Sequence, residues 1–443
     1  MPNRDNLIEK ERTARENRVW VRIAAACNVK CVFCLDADAQ NGKLISDDTV
    51  RKEIRDSYKP GVYNRVILSW WEASINPKFP EYIRYAKEIW YDRVQTVTNG
   101  NMFSRLDFCQ KVFEAWLDEV TFSIHGHNAL LHDHLTGAPG SYERALRGLI
   151  NIRKFFPKTI LNIDIVVNKL NVVYLPQMVL FFMRLGVYEF DILQIVPFGR
   201  GFREHKDELF YHIEDYLGEL HATWSLSKLP GIHIWTNRLP AEAFEGYEDL
   251  IQDPRKIKSE TMGEQKEMFD AFIRSDAQEK PDCYGERCDV CFLKQYCHDY
   301  RDYHHISLSS EKKYIIGNED REKYSAKYII LRGEEFPSQV YKKYGNESRD
   351  FLKYIQNIKL NADQKLVNIP RCIRSTNNNG EYEWNRDIER EKSVWEYTKN
   401  YIMNFYRKKS LRCKSCKYND SCQGIHINFL RSYWFQILSP ISK

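Results

Sequence analysis

No apolar run in this 443-residue sequence approaches the length of a membrane-spanning segment. A helix needs about 20 consecutive apolar residues to cross a bilayer, so we expect no membrane span. The first 17 residues are charged and contain no apolar core of the kind found in secretory signals. We therefore expect the protein to be cytoplasmic.

The chain also lacks a large net charge of either sign. The chain has 66 Lys and Arg residues against 61 Asp and Glu residues, which gives a net charge of +5. Nucleic-acid-binding proteins usually carry a concentrated basic surface, so this balance gives no support for a nucleic-acid partner. The length is sufficient for two or three domains with a sizeable core.

Cysteine, by contrast, is plentiful and grouped. Of the 12 cysteines, Cys109 stands alone and is interpreted as a small buried hydrophobe on a helix. The others form three groups: Cys27, Cys31 and Cys34; Cys283, Cys288, Cys291 and Cys297; and Cys372, Cys413, Cys416 and Cys422. Because the cytosol keeps thiols reduced, we expect these groups to bind metal and not to form disulfides.

The first group lies in a short loop directly after the apolar run of residues 19–26. Thiolates are soft ligands that select zinc, copper(I) or iron–sulfur clusters. Three cysteines are one fewer than a closed zinc site or a simple electron-transfer cluster needs, so one metal position would stay open. From the residues alone, a zinc knuckle with a remote fourth ligand and buried structural thiols also remain open.

The spacing C-x3-C-x2-C, with Phe33 just before the third cysteine, resembles the signature loop of the radical S-adenosylmethionine (SAM) superfamily. In that family three cysteines hold a 4Fe–4S cluster whose fourth iron binds SAM. Reduction of the cluster cleaves SAM to methionine and a 5'-deoxyadenosyl radical, which abstracts hydrogen from a substrate. The resemblance therefore implies a SAM-binding 4Fe–4S cluster on Cys27, Cys31 and Cys34, served by a reducing partner such as flavodoxin or ferredoxin.

From residue 18 to about 225, six predicted strands alternate with helices, the first of them capped by Ser46. Such alternation implies right-handed crossovers and a parallel sheet. A closed eight-unit barrel typically takes about 250 residues, more than this pattern covers. We therefore predict an α/β fold, a partial (βα)6 radical SAM barrel, followed by an irregular α+β iron–sulfur extension.

In α/β layers, ligands bind at the carboxyl ends of the strands. Here the resemblance implies SAM contacts from Phe33, Glu72, Asn99, Ser123 and Asn168. Glu72 stands in Trp70-Trp71-Glu72-Ala73, where relatives usually have Gly-Gly-Glu-Pro. Glycine permits backbone conformations that tryptophan does not, so this segment departs from the family, and core packing is the alternative role of these residues.

Two further features accompany these strand ends. Four histidines lie between residues 125 and 134, and we interpret them as solvated turn residues and not as metal ligands. The sequence identifies no catalytic acid, base or radical-relay residue.

The second half contains Cys283-x4-Cys288-x2-Cys291-x5-Cys297, and Cys413-x2-Cys416-x5-Cys422 repeats part of this spacing. The repeat resembles the SPASM and twitch domains of radical SAM enzymes, which implies two auxiliary 4Fe–4S clusters with four cysteines each. The family pattern continues with another cysteine, where this chain has Arg301 and His426, and His426 is a candidate substitute ligand. On spacing alone, structural zinc ribbons fit equally well.

We expect five segments along the chain. They are a polar N-terminal segment (1–17), the barrel (18–225), a connector with the first auxiliary cysteine group (226–300), a polar insertion (301–371) and the second auxiliary group (372–443). The expected function is oxidative maturation of a peptide or protein by radical SAM chemistry. The alternatives are a dehydrogenase or other tailoring enzyme of a small molecule, and a zinc-ribbon binding or scaffold protein.

Overall fold

The computed structural model describes residues 17–263, 265–274, 283–308, 328–362, 364–374, 380, 382 and 393–442. It divides into two compact units, and the boundary falls between Leu239 and Pro240. The predicted segment 1–17 lies outside the described residues except for Asn17, as do residues 309–327 of the predicted insertion. In the part of the chain that is described, no helix combines the length and apolar character needed to cross a bilayer.

The first unit is built on a curled, seven-stranded parallel sheet in the order β1-β4-β5-β6-β7-β8-β9. The strands are β1 (Asn17–Arg22), β2 (Ala24–Ala25), β3 (Lys43–Leu44), β4 (Tyr63–Ser69), β5 (Arg93–Thr98), β6 (Glu119–Ser123), β7 (Ile160–Val167), β8 (Glu189–Gln194) and β9 (His233–Asn237). The short strands β2 and β3 pair separately and antiparallel. The predicted α/β partial barrel is confirmed.

The sheet has one strand more than the six predicted. β9 pairs in parallel with β8 and extends the unit beyond residue 225. It has only five residues and lies 38 residues after β8 (194 to 233), behind three helices. A short segment so far from its partner carries little alternation signal, which is why the sequence pattern did not indicate it.

The helices of the first unit cover one face of the sheet. They are α1 (Asp47–Ser57), α2 (Phe79–Glu88), α3 (Leu106–Glu114), α4 (Ala129–Thr136), α5 (Ser141–Phe155), α6 (Leu175–Arg184), α7 (Gly199–Glu204), α8 (Lys206–Leu209) and α9 (Leu217–Leu226). Ser46 caps α1 as predicted, because its hydroxyl accepts a hydrogen bond from the Thr49 amide at 3.3 Å.

The core of the first unit lies between sheet and helices. Alternate strand residues there are aliphatic or aromatic and fully buried, for example Val120, Phe122, Ile163, Ile165 and Ile192. Since successive strand residues point to opposite faces, the residues between them lie on the concave face. Those residues are largely polar, so the curled sheet presents a polar surface inside a partial barrel.

The second unit is mainly helical. Its helices are α10 (Lys256–Thr261), α11 (Lys266–Arg274), α12 (Lys294–Leu308), α13 (Pro337–Tyr344), α14 (Ser348–Asn357), α15 (Val394–Asn400) and α16 (Ile427–Tyr433). Two ladders accompany them, β10 (Tyr328–Ile330) with β11 (Lys365–Val367), and β12 (Arg407–Lys408) with β13 (Ile425–His426). An apolar cluster that includes Phe269, Phe272, Tyr296, Tyr397 and Tyr401 forms its core. This matches the predicted irregular α+β extension.

Candidate active site

The loop that carries Cys27, Cys31 and Cys34 follows β1 and is held by the end of α4. The amide of Lys30 donates to Thr136 O at 2.9 Å, and the amide of Val32 donates to Leu135 O at 2.9 Å. Gly137, at φ +60°, follows α4, and a Cβ there would lie 2.6 Å from Lys30 O. The loop therefore packs directly against the backbone of α4, at a distance that only glycine permits.

A second brace comes from the start of α7, after β8. The amide of Arg200 donates to Cys34 O at 3.0 Å, and its guanidinium donates to Cys31 O at 3.1 Å. Gly199 adopts φ +65°, and a Cβ there would lie 2.3 Å from Leu35 O and 2.4 Å from Cys34 O. The sequence alone did not assign a contact with the cysteine loop to Gly199 or Arg200.

The three thiols share one half-buried region. Burial, together with the nearby Glu72 carboxylate, raises the pKa of Cys27 to about 11. Burial also raises the pKa of Cys31, to which the neighbouring Cys27 and Cys34 contribute. The pKa of Cys34 is raised by burial, while Arg200 opposes this rise. The three thiols lie near one another in one loop, and three soft ligands fit a 4Fe–4S cluster with one open iron position.

The two tryptophans adopt the conformation that glycine favours. Trp70 has φ +80° and Trp71 has φ +51°. The left-handed region costs a non-glycine residue about 1–2 kcal/mol. Contacts offset this cost: the Arg22 guanidinium lies 4.3 Å from the Trp70 ring centroid and 5.1 Å from that of Trp71. The indole of Trp71 donates to Asp36 O at 3.2 Å. The segment thus keeps a glycine-like backbone without glycine.

Glu72 is fully buried, and its carboxylate accepts hydrogen bonds from the turn after β5. Its Oε1 accepts from Thr98 Oγ1 at 2.7 Å and from the Ser74 amide at 3.2 Å, and its Oε2 accepts from the Asn99 amide at 2.7 Å. Burial raises the pKa of Glu72, while these hydrogen bonds oppose the rise. The side chain positions the turn, and a direct contact between Glu72 and SAM stays a prediction.

The other predicted SAM contacts differ in their surroundings. Asn99 donates to Asn28 Oδ1 at 2.6 Å, and its Nδ2 lies 4.0 Å from Cys27 Sγ, so it adjoins the cysteine loop. Asn168 is fully buried and uses both ends of its amide within its own turn, with Val166 O at 3.1 Å and the Leu170 amide at 3.0 Å. Ser123 ends β6 and is partly exposed. Each contact to SAM stays a prediction.

Phe33 packs against a buried histidine. Its ring centroid lies 4.7 Å from that of His125, at an interplanar angle of 78°. His125 Nδ1 accepts from the Val166 amide at 3.1 Å, and burial lowers its pKa well below the usual value. His132 Nδ1 accepts from the His125 amide at 3.1 Å, and burial lowers its pKa to about 4. The interpretation of these two histidines as solvated is wrong; they are neutral, buried supports of the strand ends.

The second auxiliary cysteine group surrounds one cavity in the second unit. Cys372, Cys413, Cys416 and Cys422 all line it. Burial raises the pKa of Cys372 to about 11, and the other three thiols add to the rise. The Cys422 sulfur accepts from the Gly424 amide at 3.3 Å and lies 3.2 Å from the Tyr382 hydroxyl. Four sulfurs around one cavity, with a backbone amide donating to one of them, fit a bound cluster.

The first auxiliary group converges in the same way. Burial raises the pKa of Cys291 to about 12 and that of Cys297 well above its usual value, and in both cases the Cys283 and Cys288 thiols add to the rise. Across the described ranges, no three His, Cys, Asp or Glu side chains are spaced to hold a single metal ion.

His426 is engaged elsewhere. Its Nε2 lies 2.9 Å from Ile402 O, and its Nδ1 accepts from the Asn428 amide at 3.3 Å. Burial lowers its pKa to about 3. Both ring nitrogens are used within the unit, so the structure supports a structural role for His426 in place of the candidate role as a cluster ligand.

A known protein family matches part of the first unit. The model of the radical SAM superfamily matches residues 21–179, which include the cysteine loop and all five predicted SAM contacts. These residues are a radical SAM domain. The domain holds Cys27, Cys31 and Cys34 at the carboxyl end of β1, and the five predicted contacts all lie in or directly after its loops and strands.

Two curated relatives each match less than half of this chain. An AdoMet-dependent heme synthase of Methanosarcina barkeri is 30% identical over 212 residues, 46% of this chain and 57% of the relative. A probable GTP 3',8-cyclase of Saccharolobus solfataricus is 26% identical over 211 residues, 45% of this chain and 64% of the relative. The chain thus spans less than two thirds of the length of both relatives.

Solved structures show more distant similarity. Streptococcus suis SuiB bound to the precursor peptide SuiA has a TM-score of 0.42 and 13% identity, over 56% of this chain and 55% of SuiB. The enzyme anSMEcpe with bound AdoMet has a TM-score of 0.41 and 16% identity, over 49% of this chain and 63% of that protein. These TM-scores are too low to carry a conclusion about function.

Proposed function

We propose that this protein is a radical SAM enzyme that oxidatively modifies a peptide or protein. The observation that carries the proposal is the convergence of Cys27, Cys31 and Cys34 on a doubly braced loop in the radical SAM domain. A bound 4Fe–4S cluster with an open iron supplies the electron that cleaves SAM and thereby provides a hydrogen-abstracting radical.

The residues of this chain contribute positioning. The braces from α4 and α7 fix the loop backbone, so the three thiols are preorganised for metal binding. Because burial raises the pKa values of the thiols, metal binding must release their protons. Glu72 orders the turn that carries Asn99, and Asn99 lies beside the loop. The cysteine loop and the turn that carries Asn99 are thus held in place before SAM binds.

The cysteine groups of the second unit support the oxidative part of the proposal. Each group brings four thiols together, and both resemble auxiliary-cluster sites. Two additional 4Fe–4S clusters, held by Cys283, Cys288, Cys291 and Cys297 and by Cys372, Cys413, Cys416 and Cys422, could accept the electron that a substrate radical must lose. Flavodoxin or ferredoxin is the proposed reductant, in a cytoplasmic setting.

A second candidate is modification of a small molecule. It is favoured by the curated relatives, which are described as a heme synthase and a probable GTP cyclase. Peptide modification is favoured by the resemblance of the second unit to SPASM-type extensions. The two candidates share the radical SAM step and differ in what enters the partial barrel.

Iron and sulfide analysis after anaerobic purification tests the cluster content. Three 4Fe–4S clusters correspond to about twelve irons and twelve sulfides per chain. Two zinc ions per chain without sulfide would contradict the proposal and support a zinc-ribbon protein.

Size-fractionated cell extract separates the two substrate candidates. With SAM and reductant present, a macromolecular fraction should increase 5'-deoxyadenosine formation, and protease treatment of that fraction should remove the increase. An increase from the small-molecule fraction that survives protease would favour the second candidate.

A further inference from the structure

The concave face of the sheet in the first unit differs in charge from one end to the other. On β4 and β5 it carries Arg65 and Arg93, and both approach Glu119 on β6, at 2.6 and 3.6 Å. The strands β7, β8 and β9 contain neither lysine nor arginine. Their concave residues include Asn162, Asp164, Glu189, Asp191 and Asn237. This half of the face therefore presents hydrogen-bond acceptors.

The strand register brings these acceptors together. Ser123, Asp164, Asp191 and Trp235 are in-register neighbours from β6 to β9. Asn237 lies two residues beyond Trp235 on the same face, diagonal to Asp191. With strands about 4.8 Å apart and a rise of about 3.3 Å per residue, diagonal neighbours on one face have Cα atoms about 8 Å apart, within reach of one polar group. The row begins at Ser123, a predicted SAM contact, so it continues from the SAM site into the partial barrel.

Three of these acceptors have no donor. Within the described residues, Asn162 Oδ1, Asp191 Oδ1 and Asn237 Oδ1 are buried atoms without a hydrogen-bond partner. They come from three consecutive strands and are all oxygens. Buried polar atoms in folded proteins are generally paired, so three unpaired acceptors on one face indicate a missing donor.

The contacts of Asn162 show how its side chain is oriented. Its side chain is only 6% exposed, and its Nδ2 donates to Glu119 Oε1 on β6 at 2.6 Å. The donating end of its amide therefore faces β6, its Oδ1 is left unpaired, and in the strand register Asn162 is opposite Glu189 and diagonal to Asp191. The Glu189 carboxylate already accepts from the Trp235 indole at 2.8 Å, so Asp191 is the carboxylate left for an added donor.

We propose that Asp191, with the amide oxygens of Asn162 and Asn237, binds a cationic group of the substrate. Asp191 lies between Asn162 and Asn237 on the diagonal, so an ammonium or a guanidinium at Asp191 can also donate to the amide oxygen on one side of it, and a neutral group of equal size cannot match the charge of Asp191. In a peptide substrate this group would be a lysine or arginine side chain. The inference rests on the proposed function and specifies its substrate class.

Calorimetric titration of the cluster-loaded protein tests this assignment. The probes are Nα-acetyl-arginine amide with its neutral analogue Nα-acetyl-citrulline amide, and Nα-acetyl-lysine amide with Nα-acetyl-norleucine amide. We expect at least one cation to bind about tenfold tighter than its analogue, the factor typical of one charge-assisted hydrogen bond. Asp191→Asn should abolish that preference, and Asn237→Leu should weaken it.

Asp92→Asn is the matched control. It makes the same change of charge at an exposed position of the same unit, and it should keep the preference. Equal binding of cation and analogue, no binding of either cation at millimolar concentration, or a preference that survives both Asp191→Asn and Asn237→Leu would overturn the inference. In those cases ordered water serves the three oxygens.

The result can be separated from that of the proposed function. 5'-Deoxyadenosine formation by the wild-type protein tests SAM cleavage and involves no probe. A protein that cleaves SAM and shows no cation preference refutes only this inference. A protein that prefers cations and does not cleave SAM refutes the proposed function.

Discussion

Gly199→Ala should detach the cysteine loop from its brace. Gly199 has φ +65°, and an added Cβ would lie 2.3 and 2.4 Å from two carbonyl oxygens of the loop. The left-handed conformation costs alanine about 1–2 kcal/mol. Relief of the clash must also break the hydrogen bond from the Arg200 amide to Cys34 O, worth about 0.5–1.5 kcal/mol. Together we expect a loss of about 2–3 kcal/mol in the free energy of unfolding.

Denaturant unfolding and iron analysis measure the two consequences. Gly199→Ala should unfold at lower denaturant concentration and retain about four irons fewer per chain, one 4Fe–4S cluster. Gly218→Ala is the matched control, because Gly218 lies in α9 with nothing within 4 Å of an added Cβ. It should be neutral or stabilising by up to about 1 kcal/mol. Equal stability and iron content of the two variants would refute the brace.

Three further predictions concern other residues. Trp70→Ala keeps the left-handed strain, whereas Trp70→Gly relieves it, so the glycine variant should be more stable by about 1 kcal/mol in denaturant unfolding. The pKa of His132 is about 4 in the folded protein, against 6.5 for an unperturbed histidine. Between these two pH values the unfolded state binds a proton that the folded state does not bind. His132 should therefore lower the free energy of unfolding by about 3 kcal/mol as the pH drops from 6.5 to 4. In the pH dependence of unfolding, the loss should be about 3 kcal/mol smaller in His132→Asn than in the wild type, because His125 and His426 still titrate in the variant. Tyr382→Phe removes a hydroxyl that lies 3.2 Å from Cys422 Sγ. The reduction potential of a cluster bound there should fall by about 40 mV, which is equivalent to about 1 kcal/mol. A redox titration followed by electron paramagnetic resonance measures this potential.

A specific result would contradict each of these three predictions. A Trp70→Ala variant as stable as Trp70→Gly would show that φ at this position relaxes without cost. An equal loss of stability on acidification in His132→Asn would assign the titration to another group. Tyr418→Phe is the control for Tyr382→Phe, because Tyr418 lines the same cavity; equal shifts in the two variants would exclude a specific effect of the Tyr382 hydroxyl.

The regular part of the fold could be predicted because its signals are local. Alternating strands and helices, and the cap at Ser46, follow from spacing and side-chain chemistry within a few residues. β9 was missed because its partner strand is distant along the chain. The cysteine spacing predicts metal sites, which stay predictions, and the structure brings the members of each group near one another.

Features that depend on distant contacts were not visible in the sequence. The glycine-like backbone at Trp70 and Trp71 relies on Arg22, and the brace at Gly199 relies on a loop more than 160 residues earlier (199 − 35 = 164). The buried, neutral state of His125 depends on Phe33 and Val166. Composition and periodicity carry no information about such pairs, which tertiary packing alone creates.

The most direct test of the radical SAM assignment is 5'-deoxyadenosine formation by three proteins under anaerobic conditions with SAM and reductant. The wild type should form it, and Cys31→Ala should not, because one of the three thiols that converge on the loop is lost. Cys109→Ala should form it, because Cys109 is buried alone on α3 and its thiol donates to Phe103 O at 3.1 Å. Unchanged formation by Cys31→Ala, or none by the wild type, would contradict the account.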